Sequence, residues 1–227
     1  MGWIRPEDRV SLRTRLADEL AEPVRLVLFT AAAGGLEVPG HPCPTCGPTE
    51  ELLRELAALD PRIRLEVRSL LAEPERAREL GVERIPAILL ARDGDARVRF
   101  YGIPAGFEFA TLVDALIMVS RGEPRLSPTA RAQLAGLSGS IHLQVFVTPT
   151  CPYCPHIARL ACAAAVASSH VRTEVVEVSE FPDLVDRYQI IGVPKVVINE
   201  TVAFEGAVPE EEFVQGLLKM TTNPAAA

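Results

Sequence analysis

The sequence is poor in lysine and has no excess of positive charge. Lysine occurs only at Lys195 and Lys219, and 23 basic residues face 30 acidic ones, so the net charge is −7. A chain with this charge gives no reason to expect nucleic acid or an anionic membrane as a partner. It also lacks any apolar stretch near the roughly 18 to 20 residues that a membrane-spanning helix needs. Neither nucleic acid nor a membrane is therefore expected as a partner.

Secretory features are missing as well. The first eight residues contain neither the apolar core nor the cleavage site of a signal peptide, so we expect a cytoplasmic protein. In that compartment cysteine pairs are more often catalytic or metal-binding than structural. The chain has only five cysteines, and four of them form two C-x-x-C motifs. Cysteine chemistry is thus the first place to look for function.

The two C-x-x-C motifs occur in matching surroundings. Residues 145–147 form a short β-prone run that leads to Cys151-Pro152-Tyr153-Cys154, with a helix-forming segment after it. A second copy, Cys43-Pro44-Thr45-Cys46, begins 108 residues upstream. Each copy has a hydrophobic-proline step, Ile85-Pro86 or Val193-Pro194, placed 43 residues after its first cysteine. A strand, a C-x-x-C and a helix in this order are typical of thioredoxin-like redox motifs.

The whole chain follows this repeat. Each copy has the predicted order helix, strand, C-x-x-C helix, strand, helix, strand, strand, helix. Strands joined through helices favour right-handed parallel crossovers, and short turns favour an antiparallel pair. The sequence therefore predicts an α/β fold of two tandem units, 1–122 and 123–227, each with a mixed central sheet flanked by helices. About ten extra residues, rich in Ala and Gly, precede Cys43 in the first unit.

Four segments carry a resemblance to the thioredoxin superfamily, and in particular to the two-unit protein disulfide oxidoreductases of thermophilic microbes, also called glutaredoxin-like proteins. They are residues 147–155, 101–109, 193–198 and 204–207. The resemblance implies that Pro86 and Pro194 follow cis peptide bonds, which only proline tolerates at low cost. It also implies that the backbones of Ile85 and Val193 pair with the substrate backbone.

The motif residues have distinct expected roles. A cysteine at a helix N-terminus meets the positive end of the helix dipole and free N–H groups, which favour the thiolate. We therefore predict Cys151 as the nucleophile and Cys154 as the resolving thiol, with Cys43 and Cys46 in the same roles in the first copy. The intervening residues tune the redox potential rather than react. They are Pro152, Tyr153, Pro44 and Thr45.

Other residues near the motifs each allow two interpretations. Glu66 and Glu174 occupy matching positions in the strand after each active-site helix, either as buried proton acceptors or, as the alternation favours, on a solvated strand face. His41 and His156 have no counterparts across the repeat, which favours surface histidines over groups that promote the thiolate. Cys162 lies in an Ala-rich helix, where a small buried apolar residue is favoured over a third redox thiol.

The sequence thus predicts a thiol–disulfide oxidoreductase that reduces protein disulfides through a mixed disulfide, and whose chemistry also allows isomerisation or formation. It needs no cofactor or metal beyond its own redox-active disulfides. Its partners are disulfide-containing proteins and, as electron donor, a thioredoxin-reductase-like flavoprotein or glutathione.

Three other interpretations remain open at this point. The chain is alternatively a dithiol electron carrier to a peroxiredoxin, since it resembles the N-terminal module of bacterial alkyl hydroperoxide reductase flavoproteins. It is alternatively a non-catalytic binding module of the same fold. Two C-x-x-C pairs also supply the four thiolates of a zinc site, but the 104 residues between them fit a compact zinc ribbon poorly.

Overall fold

The computed structural model describes residues 2–31 and 42–222, and all the predicted elements of the first unit are present. The Gly-rich insertion, apart from its ends, and His41 lie outside the described residues. The elements of the first unit are α1 (Pro6–Glu19), β1 (Val24–Thr30), α2 (Cys46–Ala57), β2 (Ile63–Ser69), α3 (Pro74–Glu79), β3 (Ala87–Arg92), β4 (Asp95–Tyr101) and α4 (Phe107–Arg121).

The second unit repeats this order. Its elements are α5 (Pro128–Ala135), β5 (Ile141–Val147), α6 (Cys154–Ala167), β6 (Val171–Glu177), a 3₁₀ turn (Val178–Glu180), α7 (Pro182–Tyr188), β7 (Lys195–Ile198), β8 (Thr201–Glu205) and α8 (Glu210–Thr222). Ser127 caps α5, because its side chain accepts a hydrogen bond from the Ala130 N–H. The 3₁₀ turn is not predicted by the sequence pattern. Among the described residues, no helix is both long and apolar enough to cross a membrane.

The strands of both units form one continuous sheet. Its eight strands have the order β2-β1-β3-β4-β6-β5-β7-β8, so each unit contributes four neighbouring strands. The units meet where β4 pairs in parallel with β6, with Phe100 opposite Val175. The predicted mixed sheets are confirmed, but their fusion is not evident from the sequence. Pairing these strands satisfies N–H and C=O groups that two separate sheets would leave open at their edges.

The strand directions place both C-x-x-C motifs at the same end of the sheet, beyond the C-terminal ends of the parallel strands. Strands β1, β4, β6 and β5 all run parallel to one another, and the motifs follow β1 and β5. The active-site helices α2 and α6 pack on one face together with α4, in a single hydrophobic core that spans both units. The smaller α3 and α7 pack on the opposite face. The predicted unit boundary at 122–123 falls in the connection between α4 and α5, while α4 itself packs against α6.

The shared sheet and core predict that both units unfold together. The single tryptophan, Trp3, reports on the first unit because its backbone N–H and its indole N–H donate to Glu55 and Glu51 of α2. In the oxidised protein the free thiol of Cys162, which is fully buried, reports on the second unit. Trp3 fluorescence and Cys162 labelling should therefore give coincident denaturant midpoints.

A substitution at the junction should lower both midpoints equally. Phe100→Ala removes a side chain that is 2% exposed at the β4–β6 contact, so we expect a loss of about 3–5 kcal/mol in the free energy of unfolding. Val10→Ala is the matched control, because Val10 is 72% exposed and should change stability by less than about 0.5 kcal/mol. Separate midpoints for the two probes would show that the units are energetically independent.

Candidate active site

The second motif forms a disulfide at the start of α6. Cys151 and Cys154 are bonded to each other, with their Cα atoms 5.5 Å apart. The helix begins at Cys154 rather than at Cys151, and the Cys154 N–H lies 3.1 Å from Cys151 Sγ. This N–H belongs to the first turn, where backbone donors have no partner within the helix. In the reduced protein it would stabilise a thiolate at Cys151, as would the positive end of the helix dipole.

The two cysteines of this site differ in accessibility. Cys151 is 8% exposed and Cys154 is fully buried, which agrees with the predicted roles of attacking and resolving thiol. Between them, Pro152 is exposed and the Tyr153 ring is 68% exposed. A large solvent-facing aromatic side chain beside the reactive sulfur leaves room for a partner to pack against it.

Each unit has a cis-proline, and the one in the second unit lies next to its motif. The Val193-Pro194 and Ile85-Pro86 bonds are both cis, which confirms the expectation drawn from the resemblance. The Val193 carbonyl oxygen is 3.7 Å from Cys151 Sγ. The backbone that precedes Pro194 is thus in contact with the predicted nucleophile.

The first motif has the same form but a different environment. Cys43 and Cys46 are joined in a disulfide, with Cα atoms 5.4 Å apart. The helix again begins at the second cysteine, which is buried, whereas Cys43 is partly exposed. The Thr45 hydroxyl between them donates a hydrogen bond to the Glu180 carboxylate, which belongs to the second unit. Pro44 is exposed.

A buried carboxylate, Glu108, is absent from the candidates that the sequence motifs predict. It lies in the first turn of α4, where the neighbouring Phe107 N–H donates to the Pro149 carbonyl oxygen at 3.0 Å, two residues before Cys151. Glu108 is 2% exposed, and neither of its oxygens makes a hydrogen bond of good geometry to any described residue. Burial raises the pKa of Glu108 to about 7, against weaker opposing effects of the Thr111 hydroxyl and the Arg159 charge.

A signal for this residue is present in the sequence. Glu108 is the only charged residue between Tyr101 and Asp114, in an otherwise apolar segment. A lone carboxylate among apolar residues indicates either a functional group or a buried ion pair. The pattern cannot show that the helix carrying Glu108 begins against the loop that precedes Cys151.

Neither Glu66 on β2 nor Glu174 on β6 is placed to accept a proton from a resolving cysteine. Leu65 and Val67 pack in the core that contains the active-site helices, so Glu66 points to the other face, where it pairs with Arg25 and Arg68. The solvated interpretation holds for this half-exposed residue at the edge of the sheet. Its counterpart Glu174 requires a separate account.

Glu174 is buried, so the favoured prediction of a solvated face is wrong for it. It is 7% exposed on β6, in register with Arg99 of β4 and Gln144 of β5, because the fused sheet covers it from both sides. Burial would raise the pKa of Glu174, but the His142 side chain, 2.9 Å away, and nearby arginines hold it below its usual value. Its neighbour Val175 faces α6, so Glu174 lies on the face away from Cys154.

The remaining candidates do not touch the reactive sulfurs. His156 is exposed, and its Nε2 lies 3.1 Å from the Val208 carbonyl oxygen, which agrees with a surface role. Cys162 is fully buried, and burial raises the pKa of its thiol well above the usual value, as expected of a small apolar residue in a core.

The arrangement does not bring the four motif sulfurs together. Strands β3, β4 and β6 lie between β1 and β5, so the strand ends that precede the motifs are four strand spacings, about 19 Å, apart. Among the described residues, no group of three or more His, Cys, Asp or Glu side chains is arranged to hold a metal ion. The zinc interpretation is therefore wrong for these cysteines, and each site has its own disulfide.

Comparison with known proteins gives the same picture. Residues 141–219 match a family model described as "Thioredoxin domain". Over 144 residues, 63% of this chain, the sequence is 32% identical to the alkyl hydroperoxide reductase protein AhpF of Pseudomonas aeruginosa. The chain spans about a quarter of the length of that relative, since 27% of it is covered.

Two solved structures match nearly the full length. A protein disulfide oxidoreductase from Aeropyrum pernix is 29% identical, with a TM-score of 0.84 over 97% of this chain and 94% of the other. An N-terminal region of the alkyl hydroperoxide reductase AhpF from Enterococcus faecalis is 27% identical, with a TM-score of 0.84 over 95% of this chain and 100% of the other. The predicted fold and its tandem arrangement are thereby confirmed.

The buried Glu108 carboxyl should make stability depend on pH. Its folded-state pKa of about 7 lies above the ordinary value of 4.5, so the folded protein binds more protons between these values. Its contribution is therefore fully present below pH 4.5 and is lost as pH rises through 7, on the order of 3 kcal/mol in all. Glu108→Gln should lack this loss and become more stable than wild type above pH 7.

The measurement is urea unfolding of both proteins at pH 5 and pH 8.5. The unfolding free energy of Glu108→Gln minus that of wild type should increase from pH 5 to pH 8.5. The same difference should stay constant for the control Glu211→Gln, which removes an exposed carboxylate of α8. A pH-independent difference for Glu108→Gln would show that Glu108 is ionised at neutral pH as an ordinary surface acid is.

Proposed function

We propose that this chain, a two-unit member of the thioredoxin superfamily, is a thiol–disulfide oxidoreductase that reduces protein disulfides. The observation that carries the proposal is the disulfide between Cys151 and Cys154. Its sulfur Cys151 Sγ lies between the first N–H of α6 and the backbone of the cis-proline loop. This geometry combines a stabilised thiolate with a surface on which an extended polypeptide segment would lie.

The exchange proceeds in two steps from the dithiol form. The Cys151 thiolate attacks one sulfur of the substrate disulfide, forms a mixed disulfide and releases the first substrate thiol. The Cys154 thiolate then attacks Cys151, which closes the protein disulfide and releases the second thiol. Two electrons pass from the cysteine pair to the substrate, and each released sulfur takes up one proton. In reverse, the same steps form disulfides, and partial reversal isomerises them.

Glu108 is suited to accept the proton that Cys154 must lose in the second step. Its pKa of about 7 lies close to the operating pH, where general bases are most effective. Its neighbour Phe107 donates a backbone hydrogen bond to Pro149, which sets the first turn of α4 against the loop before Cys151. Because the Cys154 sulfur is buried, water cannot readily take this role.

The oxidised protein then needs electrons from outside. A thioredoxin-reductase-like flavoprotein or glutathione would reduce the disulfide by the same exchange, in the cytoplasm, with no cofactor bound to this chain. The Pro-Tyr and Pro-Thr pairs within the motifs would set the potentials. Known potentials span about −270 mV to about −120 mV, and about 30 mV corresponds to 1.4 kcal/mol, so small environmental differences change the direction of exchange.

Single-cysteine variants separate the two steps. Cys151→Ser should abolish reduction of insulin disulfides by the second site, because no attacking thiolate remains. Cys154→Ser should form the mixed disulfide but release it slowly, so a covalent adduct should accumulate and be visible by mass spectrometry. Both are made in a Cys43→Ser background so that the first site contributes nothing.

The matched control is Cys162→Ser in the same background. This thiol is buried and outside both disulfides, so its loss should leave the turnover rate unchanged. Full activity of Cys151→Ser would remove the assignment of the second site. An adduct that forms on Cys154 instead of Cys151 would reverse the proposed roles.

A second candidate function is supported by the similarity to the alkyl hydroperoxide reductase protein AhpF. In this case the chain carries electrons from a flavoprotein to a peroxiredoxin. The resemblance to such modules implies that one C-x-x-C does this work, whereas both pairs here are joined in disulfides. Inactivating the first cysteine pair by Cys43→Ser and Cys46→Ser distinguishes the two candidate functions. Electron transfer to a peroxiredoxin should then be unchanged if the chain is a carrier of this kind.

A further inference from the structure

The carboxylate of Glu180 links the second unit to the first dithiol site. Glu180 ends the 3₁₀ turn that follows β6, and one of its oxygens accepts the hydrogen bond from the Thr45 hydroxyl. The other oxygen accepts a hydrogen bond from the Ile103 N–H at 2.7 Å. A residue of the second unit is thus fixed against the residue that separates Cys43 from Cys46.

Close packing holds this carboxylate in place. Gly102, with φ of +84°, lies so near that a Cβ atom there would be 2.8 Å from a carboxylate oxygen of Glu180 and 2.8 Å from the Glu177 Cβ. Glycine is required both for this conformation and for this approach. Burial, together with the charge of Glu177, raises the pKa of Glu180, while the two hydrogen-bond donors, Thr45 and Ile103, favour its anion.

The second site has no such contact. The counterpart of Thr45 across the repeat is Tyr153, whose side chain is 68% exposed. Among the described residues, no carboxylate forms a hydrogen bond or ion pair with Tyr153. The Thr45–Glu180 pair is therefore a difference between two otherwise matching sites, and it affects the motif residues that are expected to tune the potential.

We propose that Glu180 is a positioning residue of the first dithiol site, which through Thr45 holds a negative charge beside the Cys43–Cys46 pair and biases that pair toward its disulfide form. A neighbouring negative charge disfavours a thiolate. The dithiol form, whose reactive species is the thiolate, is thereby destabilised relative to the disulfide. The inference rests on the proposed function, since it requires that Cys43 and Cys46 cycle between the two forms.

The test measures each cysteine pair separately in the full-length protein. Wild type and variants are equilibrated with glutathione mixtures, and the fraction of each pair reduced is determined by alkylation and peptide mass spectrometry. Glu180→Gln keeps the shape but removes the charge, so it should favour the reduced Cys43–Cys46 pair about three- to tenfold in the equilibrium constant. The pH profile of Cys43 alkylation should shift to lower pH. The Cys151–Cys154 pair should not change.

Substitutions at Thr45 separate positioning from charge alone. Thr45→Val removes the hydroxyl that holds the carboxylate and should shift the first site in the same direction by a smaller factor. Thr45→Ser restores the hydroxyl and should match wild type. Glu83→Gln is the charge-matched control, because Glu83 is an exposed carboxylate of the first unit that pairs with its neighbour Arg84, and it should leave both sites unchanged.

The outcomes distinguish this inference from the proposed function. If neither pair in wild type exchanges with glutathione or with insulin disulfides, the proposed function and this inference both fail. If both pairs equilibrate but Glu180→Gln and Thr45→Val leave the first site as in wild type, only the role of Glu180 is overturned. An equal shift at both sites would also overturn it, because that result indicates a general effect on the protein.

Discussion

The parallel pairing of β4 with β6 is the contact on which the rest of the molecule depends. It fuses two four-stranded sheets into one and sets the units in the same orientation. As a consequence both C-x-x-C motifs lie at the same end of the sheet, and their helices pack on one face. The same contact lays α4 of the first unit against α6 of the second, so that one hydrophobic core serves both.

This junction makes each dithiol site depend on the other unit. The first unit brings Glu108 next to the loop that precedes Cys151, and the second unit brings Glu180 to Thr45. Both carboxylates are wholly or partly withdrawn from water, so their proton affinities are higher than usual. Two sites with the same cysteine spacing therefore have different electrostatic surroundings, which is one physical route to different reduction potentials on a duplicated scaffold.

Much of the local structure was predictable because its causes are local. The strand before each motif and the helix after it follow from short patterns, whereas the cis form of the two prolines was implied by the family resemblance. The boundary of the active-site helices was less predictable: both begin at the second cysteine, since the first cysteine belongs to the turn. Glu174 shows where the inference of a solvated strand face from alternating apolar and charged residues fails. The same pattern describes Glu66 at a half-exposed edge and Glu174 inside the fused sheet, and only strand order separates them.

The dithiol chemistry can be inferred from the sequence alone, because such a pair needs only two cysteines three positions apart and a proline loop at the right distance along the chain. The partners of these sulfurs depend on contacts between residues far apart in the chain. Thr45 and Glu180 are 135 positions apart, and nothing in their local sequences signals that they meet. The pairing of β4 with β6 brings Glu180 to the first site. This pairing depends on how the whole fold packs, and local sequence does not specify it.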